Sequence, residues 1–316
     1  MVTSIAVVIP THNSVETIDR ALESVSAQSL RPSEVIVVDD GSADSTVEHV
    51  ERHGSQPRLL HSTCGNGAGT RNIGIRAADA EWIAFLDSDD YWTPDHLRNA
   101  VDLLDRSTHD DVVAYMAHRW RTRPGSDRVE TEPTRYRYDA AVTDLPAADF
   151  PEAFLDSGLL FATPSTLMHR GRLLEVGMFD ESQRRRHDID LWFRVIADHR
   201  WAYHPEAGSI CQIGTRDSIS SNVVEREWYM HRAVRRNADS FPVRGMRRLE
   251  RLAARRSCAA AIAEGSANEI ERAVRDAKPS LTPPASAFAS AAAAVPFIPR
   301  TLIRLKRRWG RSRRPC

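Results

Sequence analysis

The chain has few cysteines, no long apolar run and, beyond residue 276, no acidic residue at all. Each absence excludes something. Its four cysteines (Cys64, Cys211, Cys258, Cys316) lie far apart, with no CxxC pair and no Cys/His metal spacing. A disulfide scaffold is therefore ruled out, and reduced thiols are expected. No stretch of 18 apolar residues occurs, which argues against a membrane-spanning helix. The longest candidate, 287–298, is diluted by Ala and Ser and broken by Pro296. The first residues, Met-Val-Thr-Ser ahead of Ile5–Pro10, lack the basic start and longer apolar core of a signal peptide. A cytoplasmic chain is expected, or one peripheral to the inner face of a membrane. An excess of either charge is missing too, since 43 Lys/Arg balance 43 Asp/Glu. Bulk charge thus gives no reason to expect a nucleic-acid partner. The balance hides an asymmetry: residues 277–316 carry nine basic side chains, leaving 34 basic against 43 acidic in residues 1–276.

What is present reads as an α/β chain. At 316 residues and 41% hydrophobic, it can form one large α/β domain with an appendage, or two domains. Ile5–Ile9 is a short continuous apolar run stopped by Pro10, the pattern of a strand buried on both faces and hence parallel. Helical spacing follows over residues 14–29, and Glu34–Val38 repeats the buried-strand pattern. Ser45 with Glu48 three residues on suggests a capping box for the next helix. A weaker strand is expected near Arg58–His61, a helix over about Thr70–Ala78, and another apolar strand over Trp82–Leu86. Strands alternating with helices mean a parallel sheet with ligands at its carboxyl edge. Residues 121–151 lose periodicity and read as a long surface excursion. Further on, a short helix at Gly171–Val176, a helix over Asp188–Ala197 and a brief strand at Trp201–His204 are expected. Residues 225–277 should hold two or three helices, and 278–290 a Pro/Ser/Ala linker.

Four polar segments follow or flank these elements. Asp87-Ser-Asp89-Asp90 crowds carboxylates at a strand end. It is either a solvated turn or a place for a hard divalent cation such as Mg²⁺ or Mn²⁺. Asp39-Asp40-Gly-Ser is a turn that can also hydrogen-bond a nucleobase. Arg71 stands just after the glycine-rich Gly65–Gly69, where a cation can meet diphosphate oxygens or simply lie on the surface. His187-Asp188-Ile-Asp190-Leu-Trp192 either caps a helix start or supplies a general base.

Taken together, Ile9-Pro10-Thr11-His12-Asn13, Val38–Ser42, Arg71-Asn72, Phe85–Asp90 and Gly177-Met-Phe-Asp180…His187–Trp192 resemble the family 2 glycosyltransferases over about residues 4–220. The resemblance implies a GT-A fold, a Rossmann-like and mostly parallel sheet flanked by helices, here with a helical C-terminal extension. It divides the chain into a catalytic domain at 1–224, the extension at 225–277, and a linker with basic tail at 278–316. It also implies inverting transfer of a sugar from a nucleotide-diphosphate donor, a UDP-sugar being expected, to a saccharide or lipid-linked saccharide. Pro10, Thr11 and Asp40 would contact the nucleotide and Arg71 the diphosphate. Asp87 and Asp89 would hold Mn²⁺ or Mg²⁺, and Asp188 would be the base, with Asp190 as the alternative.

The chain departs from the family pattern in two places. Position 187 is His where Glu is common, and Gln212–Ser220 lacks the usual basic or aromatic segment. Two other readings stay open, a nucleotidyltransferase and a catalytically silent scaffold. The tail Arg300–Trp309 sets Leu302, Ile303, Leu305 and Trp309 among basic side chains, which suits an amphipathic contact with an anionic membrane.

Overall fold

Apolar side chains on alternating sides of one strand set the layering. β1 (Ile5–Thr11) sends Ala6 and Val8 into one hydrophobic layer and Ile5, Val7 and Ile9 into another. Burying side chains of this size contributes about 2 kcal/mol each, so the strand is held from both faces. The structure is a computed structural model that describes residues 2, 4–122, 141–156, 161–212, 222–241 and 243–280. After β1 come α1 (Ile18–Ser26), β2 (Glu34–Asp39), α2 (Thr46–Arg52), β3 (Arg58–His61), α3 (Gly67–Ala77) and β4 (Trp82–Phe85). Then follow β5 (Tyr91–Trp92), α4 (His96–Leu104), β6 (Val112–Thr122), β7 (Val142–Pro146) and α5 (Phe150–Asp156). β8 (Thr166–His169), α6 (Arg170–Glu175), α7 (His187–Ile196) and β9 (Arg200–Gln212) complete the sheet and its cover. Three further helices close the described chain: α8 (Val223–Arg236), α9 (Arg244–Glu264) and α10 (Ala267–Ala277).

The strands form one sheet in the order β3-β2-β1-β4-β8-β6-β9-β5, with β7 also on β9. Helices α1, α2 and α4 pack one face through Ile18, Leu22, Val50 and Leu97. The other face is covered by α3, α5, α7, α8 and α9, through residues such as Ile75, Phe150, Trp192, Val234 and Leu249. Phe150 meets Phe193 and Trp201 edge-on at 5.1 and 5.3 Å, which fixes α5 and α7 against β9. Strands β1 to β4 run parallel, and β8 is antiparallel to both β4 and β6. β6 therefore points the same way as β4, and β9 runs parallel to it. The carboxyl ends of β1, β2, β4, β6 and β9 thus share one edge of the sheet.

This is the α/β layering that the sequence predicts, with local differences. The sheet is mixed, because β5, β7 and β8 enter antiparallel. The helix expected from Thr70 begins at Gly67, so the glycine-rich segment is partly its first turn. Asn66 caps it by accepting from Gly69 N at 2.8 Å. Ser45 makes no capping bond; Asp44 takes that place, accepting from Thr46 N at 3.0 Å. The excursion read over 121–151 is partly regular structure, since β6 runs to Thr122 and β7 and α5 occupy its second half. The remainder, 123–140, lies outside the described residues, as does the tail beyond Ser280. No described helix is long and apolar enough to cross a membrane.

Candidate active site

The ends of β1 and β2 are tied together by short bonds. Asp40 N donates to Thr11 O at 2.9 Å, and Asn13, in the left-handed region at φ 50°, accepts from Ala43 N at 2.8 Å. The two aspartates of this turn have separate tasks. Asp39 is buried and accepts from Ser42 N and Oγ at 3.1 and 2.5 Å, which shapes the turn. Asp40 is the one left toward the edge, with Ser62 Oγ donating to it at 2.9 Å. Burial pulls the Asp40 carboxyl upward, but bonds from Ser62, Gly65, Thr70 and Cys64 together hold it below its ordinary value. It is therefore an ionised acceptor beside Thr11, whose buried Oγ1 has no hydrogen-bond partner among the described residues. Pro10 is half-buried on the same strand end.

After β4, Asp87, Asp89 and Asp90 bring carboxylate oxygens within 4.8 Å of one another. Burial and the neighbouring Asp87 push Asp89 up; burial, Asp89 and Asp87 push Asp90 well up. Crowded, desolvated carboxylates of this kind are relieved by a cation, and an all-oxygen donor set suits a hard divalent ion. The residues present fit such an ion. Asp90 is the most enclosed of the three and accepts from Gln212 N at 3.0 Å, so it ties the turn to the end of β9.

Arg71 connects this cluster to α7. Its Nη2 donates to Asp87, and its Nη1 donates to Gly67 O at 2.9 Å and to His187 Nε2 at 3.3 Å. An arginine can only donate, so the His187 ring accepts and is neutral there. Burial and the Arg71 charge push His187 down to about 4, against the pull of Asp188 and Asp87. The neighbouring Asn72 locks the following block in place. It donates to Phe179 O at 3.0 Å and accepts from Phe179 N at 2.9 Å. Asp188 is half-exposed at the start of α7 and accepts only from Ile189 N, at 2.9 Å, among the described residues. Asp190 is different. It is fully buried, paired with Arg194 at 2.8 Å and bonded by Asn237 at 3.2 Å. Its carboxylate is sealed into the fold, whereas that of Asp188 is half-exposed.

The sequence-predicted residues thus gather along one edge: Pro10, Thr11 and Asp40 at one end, then Arg71, Asp87 and Asp89, with Asp188 beyond His187. Arg20 was not among them. It donates to Asp89 O at 3.1 Å and lies over the Tyr91 ring at 4.5 Å. With the Gln212 amide oxygen turned toward it, it also donates there at 2.7 and 2.9 Å. In the sequence it is only a polar position on the amphipathic α1. His187 was visible, but its contact with Arg71 crosses 116 residues.

Comparison with known proteins points one way. The model of the family described as glycosyl transferase family 2 matches residues 6–150. The succinoglycan biosynthesis protein ExoO of Rhizobium meliloti is 32% identical over 253 residues, covering 73% of this chain and 69% of that protein. An uncharacterized glycosyltransferase of Rickettsia typhi is 26% identical over 192 residues, 61% of this chain. The match spans 58% of that relative's length. Among solved structures, S. aureus TarS 1–349 in complex with UDP-GlcNAc aligns with a TM-score of 0.71 at 17% identity, over 98% of this chain and 92% of that one. At that identity the likeness concerns the fold.

Proposed function

The chain belongs to glycosyl transferase family 2, and from that premise we propose that it moves a sugar, with inversion, from a nucleotide-diphosphate donor to an acceptor hydroxyl. The observation that carries this reading is Arg71 in contact with both Asp87 and His187. It joins a carboxylate cluster suited to a diphosphate-bound cation to the helix that bears a half-exposed Asp188. The TarS structure with UDP-GlcNAc supports a UDP-sugar as donor. The name of ExoO supports an acceptor in polysaccharide assembly, either a saccharide or a lipid-linked saccharide.

Asp40, ionised, accepts from the nucleobase, beside Pro10 and Thr11 on the nucleotide. Asp87 and Asp89, with Asp90 behind them, would hold Mg²⁺ or Mn²⁺. When bound, the ion offsets the charge that builds on the departing nucleoside diphosphate. Arg71 adds donors on the same side; one bond to Asp87 fixes its direction, and His187 accepts from it without contributing charge. Asp188 takes the proton of the acceptor hydroxyl as that oxygen bonds to the sugar's anomeric carbon. The bond from that carbon to the diphosphate breaks on the opposite face. The sugar centre passes through an oxocarbenium-like state, and alignment of donor and acceptor supplies much of the remaining acceleration.

A panel of UDP-sugars incubated with Mg²⁺ or Mn²⁺ tests this reading. Release of nucleoside diphosphate is expected with at least one donor. Release of a sugar 1-phosphate would indicate attack on the α-phosphate and a nucleotidyltransferase; no release with any donor would indicate a silent scaffold.

A further inference from the structure

Immediately before the proposed base stands the run Arg184-Arg185-Arg186. Arg186 is in the left-handed region at φ 56°, ψ 28°, at the position that opens α7. A non-glycine residue there is uncommon and costs energy, and such positions cluster where side-chain placement matters. Arg185 is engaged, donating from Nε to Glu225 at 2.8 Å. Arg186 is not: its Nε is buried and has no hydrogen-bond partner among the described residues. Buried guanidinium groups are ordinarily satisfied by an acceptor.

The groups around it come from three elements. Asp188 lies on α7, Arg226 and Glu227 on α8, and Arg119 on β6, all close enough to act on the Arg186 charge. Glu227 is already engaged. It accepts from Arg226 at 3.1 Å and pairs with Arg256 at 3.0 Å. Among the described residues, Asp188 is then the one carboxylate near Arg186 that no other arginine holds. A base that must take a proton from substrate cannot also be locked to that guanidinium.

We propose that Arg186 forms an anion-binding subsite on the acceptor side of the site, taking a phosphate or carboxylate carried by the acceptor close to its reacting hydroxyl. The proposal rests on Asp188 being the base, since that is what places the acceptor beside Arg186. The planar guanidinium suits either oxyanion through paired N–H donors. The acceptor would therefore be an acidic saccharide or a sugar phosphate rather than a neutral glycan.

The test is a titration of inorganic phosphate into the full chain already saturated with UDP and Mg²⁺, followed by ³¹P NMR and calorimetry. The wild type should bind one further equivalent of phosphate. Arg186→Gly removes the charge while relaxing the backbone, because glycine adopts this conformation freely. It should weaken phosphate at least about tenfold, with UDP affinity and thermal midpoint retained. Arg186→Lys keeps the charge and should retain most of the binding. Absence of a second phosphate site, or equal binding by the glycine variant, would overturn the subsite. If Arg186→Gly weakens UDP-glucuronic acid but not UDP-glucose, the anion belongs to the donor sugar and the acceptor assignment is wrong. A wild type that fails to bind UDP at all would overturn the function reading, and the acceptor assignment with it. Normal UDP binding without a phosphate site would overturn the subsite alone.

Discussion

Asp188 and Asp190 are two residues apart on one helix, yet their surroundings differ completely. Asp190 is sealed by Arg194 and Asn237, whereas Asp188 is half-exposed with a single backbone donor. Asp188→Asn should lower turnover about a hundredfold or more while UDP binding survives. Near-normal transfer by this variant would move the base elsewhere. Asp89→Ala should abolish the strengthening of UDP binding by Mg²⁺ or Mn²⁺. Equal UDP titrations of the wild type with metal and with chelator would remove the metal assignment. A third residue matters for stability. His96 is fully enclosed, its ring nitrogens have no partners among the described residues, and burial, with His204 nearby, pushes it down to about 3. The unfolded chain takes up this proton below about pH 6.5 and the folded chain does not, so stability falls as pH drops from about 6.5 toward 3. His96→Leu should flatten that part of the curve, read as thermal midpoint against pH. An unchanged slope would show that other groups carry the acid sensitivity.

Among the elements, α3 shows how closely helix and sheet approach behind the site. A Cβ on Gly74 would stand 2.4 Å from Val8 Cγ1. Gly74→Ala should therefore destabilise by about 1–3 kcal/mol. Val8→Ala in the same chain should recover part of the loss, which a double-mutant cycle in denaturant would measure. Strict additivity would mean that this contact does not limit the packing. The parallel strands were legible because burial on both faces demands continuous apolar runs, as in Ile5–Ile9. Val112–Ala117 carries the same signal for β6, yet no strand was expected there. β9 was legible only as far as His204, because Pro205 and Glu206 interrupt its pattern where the register shifts opposite Ala117 and His118. The acidic turns could be read as polar clusters in the sequence. The partners that give them meaning could not, since Arg20 reaches Asp89 and Arg71 reaches His187 only once the sheet is assembled.

At the scale of the whole molecule, charge is divided along the chain, and the division has a physical consequence. Residues 1–276 are acidic in balance, while the nine basic side chains of 277–316 have no acidic residue among them. The described chain ends in an anchored turn, Ser280 donating to Glu250 at 2.5 Å. Residues 281–316 lie outside the described residues. Their sequence joins Phe297-Ile298, Leu302, Ile303, Leu305 and Trp309 to basic residues, a combination that favours the interface of an anionic bilayer. Each basic residue near such a surface contributes roughly 1 kcal/mol, screened by salt. Lipid-bound acceptors would then be met where they reside. The comparison is sedimentation of the full chain and of a chain ending at Ser280, which keeps the anchored turn, with anionic and with neutral vesicles. At low salt the full chain should pellet with the anionic vesicles and lose that binding as salt rises, while the shortened chain stays in the supernatant. If both remain in the supernatant, the membrane contact is wrong and the carboxyl-edge site is untouched. If both pellet, the attraction lies in the folded body, where an overall acidic charge makes it least expected.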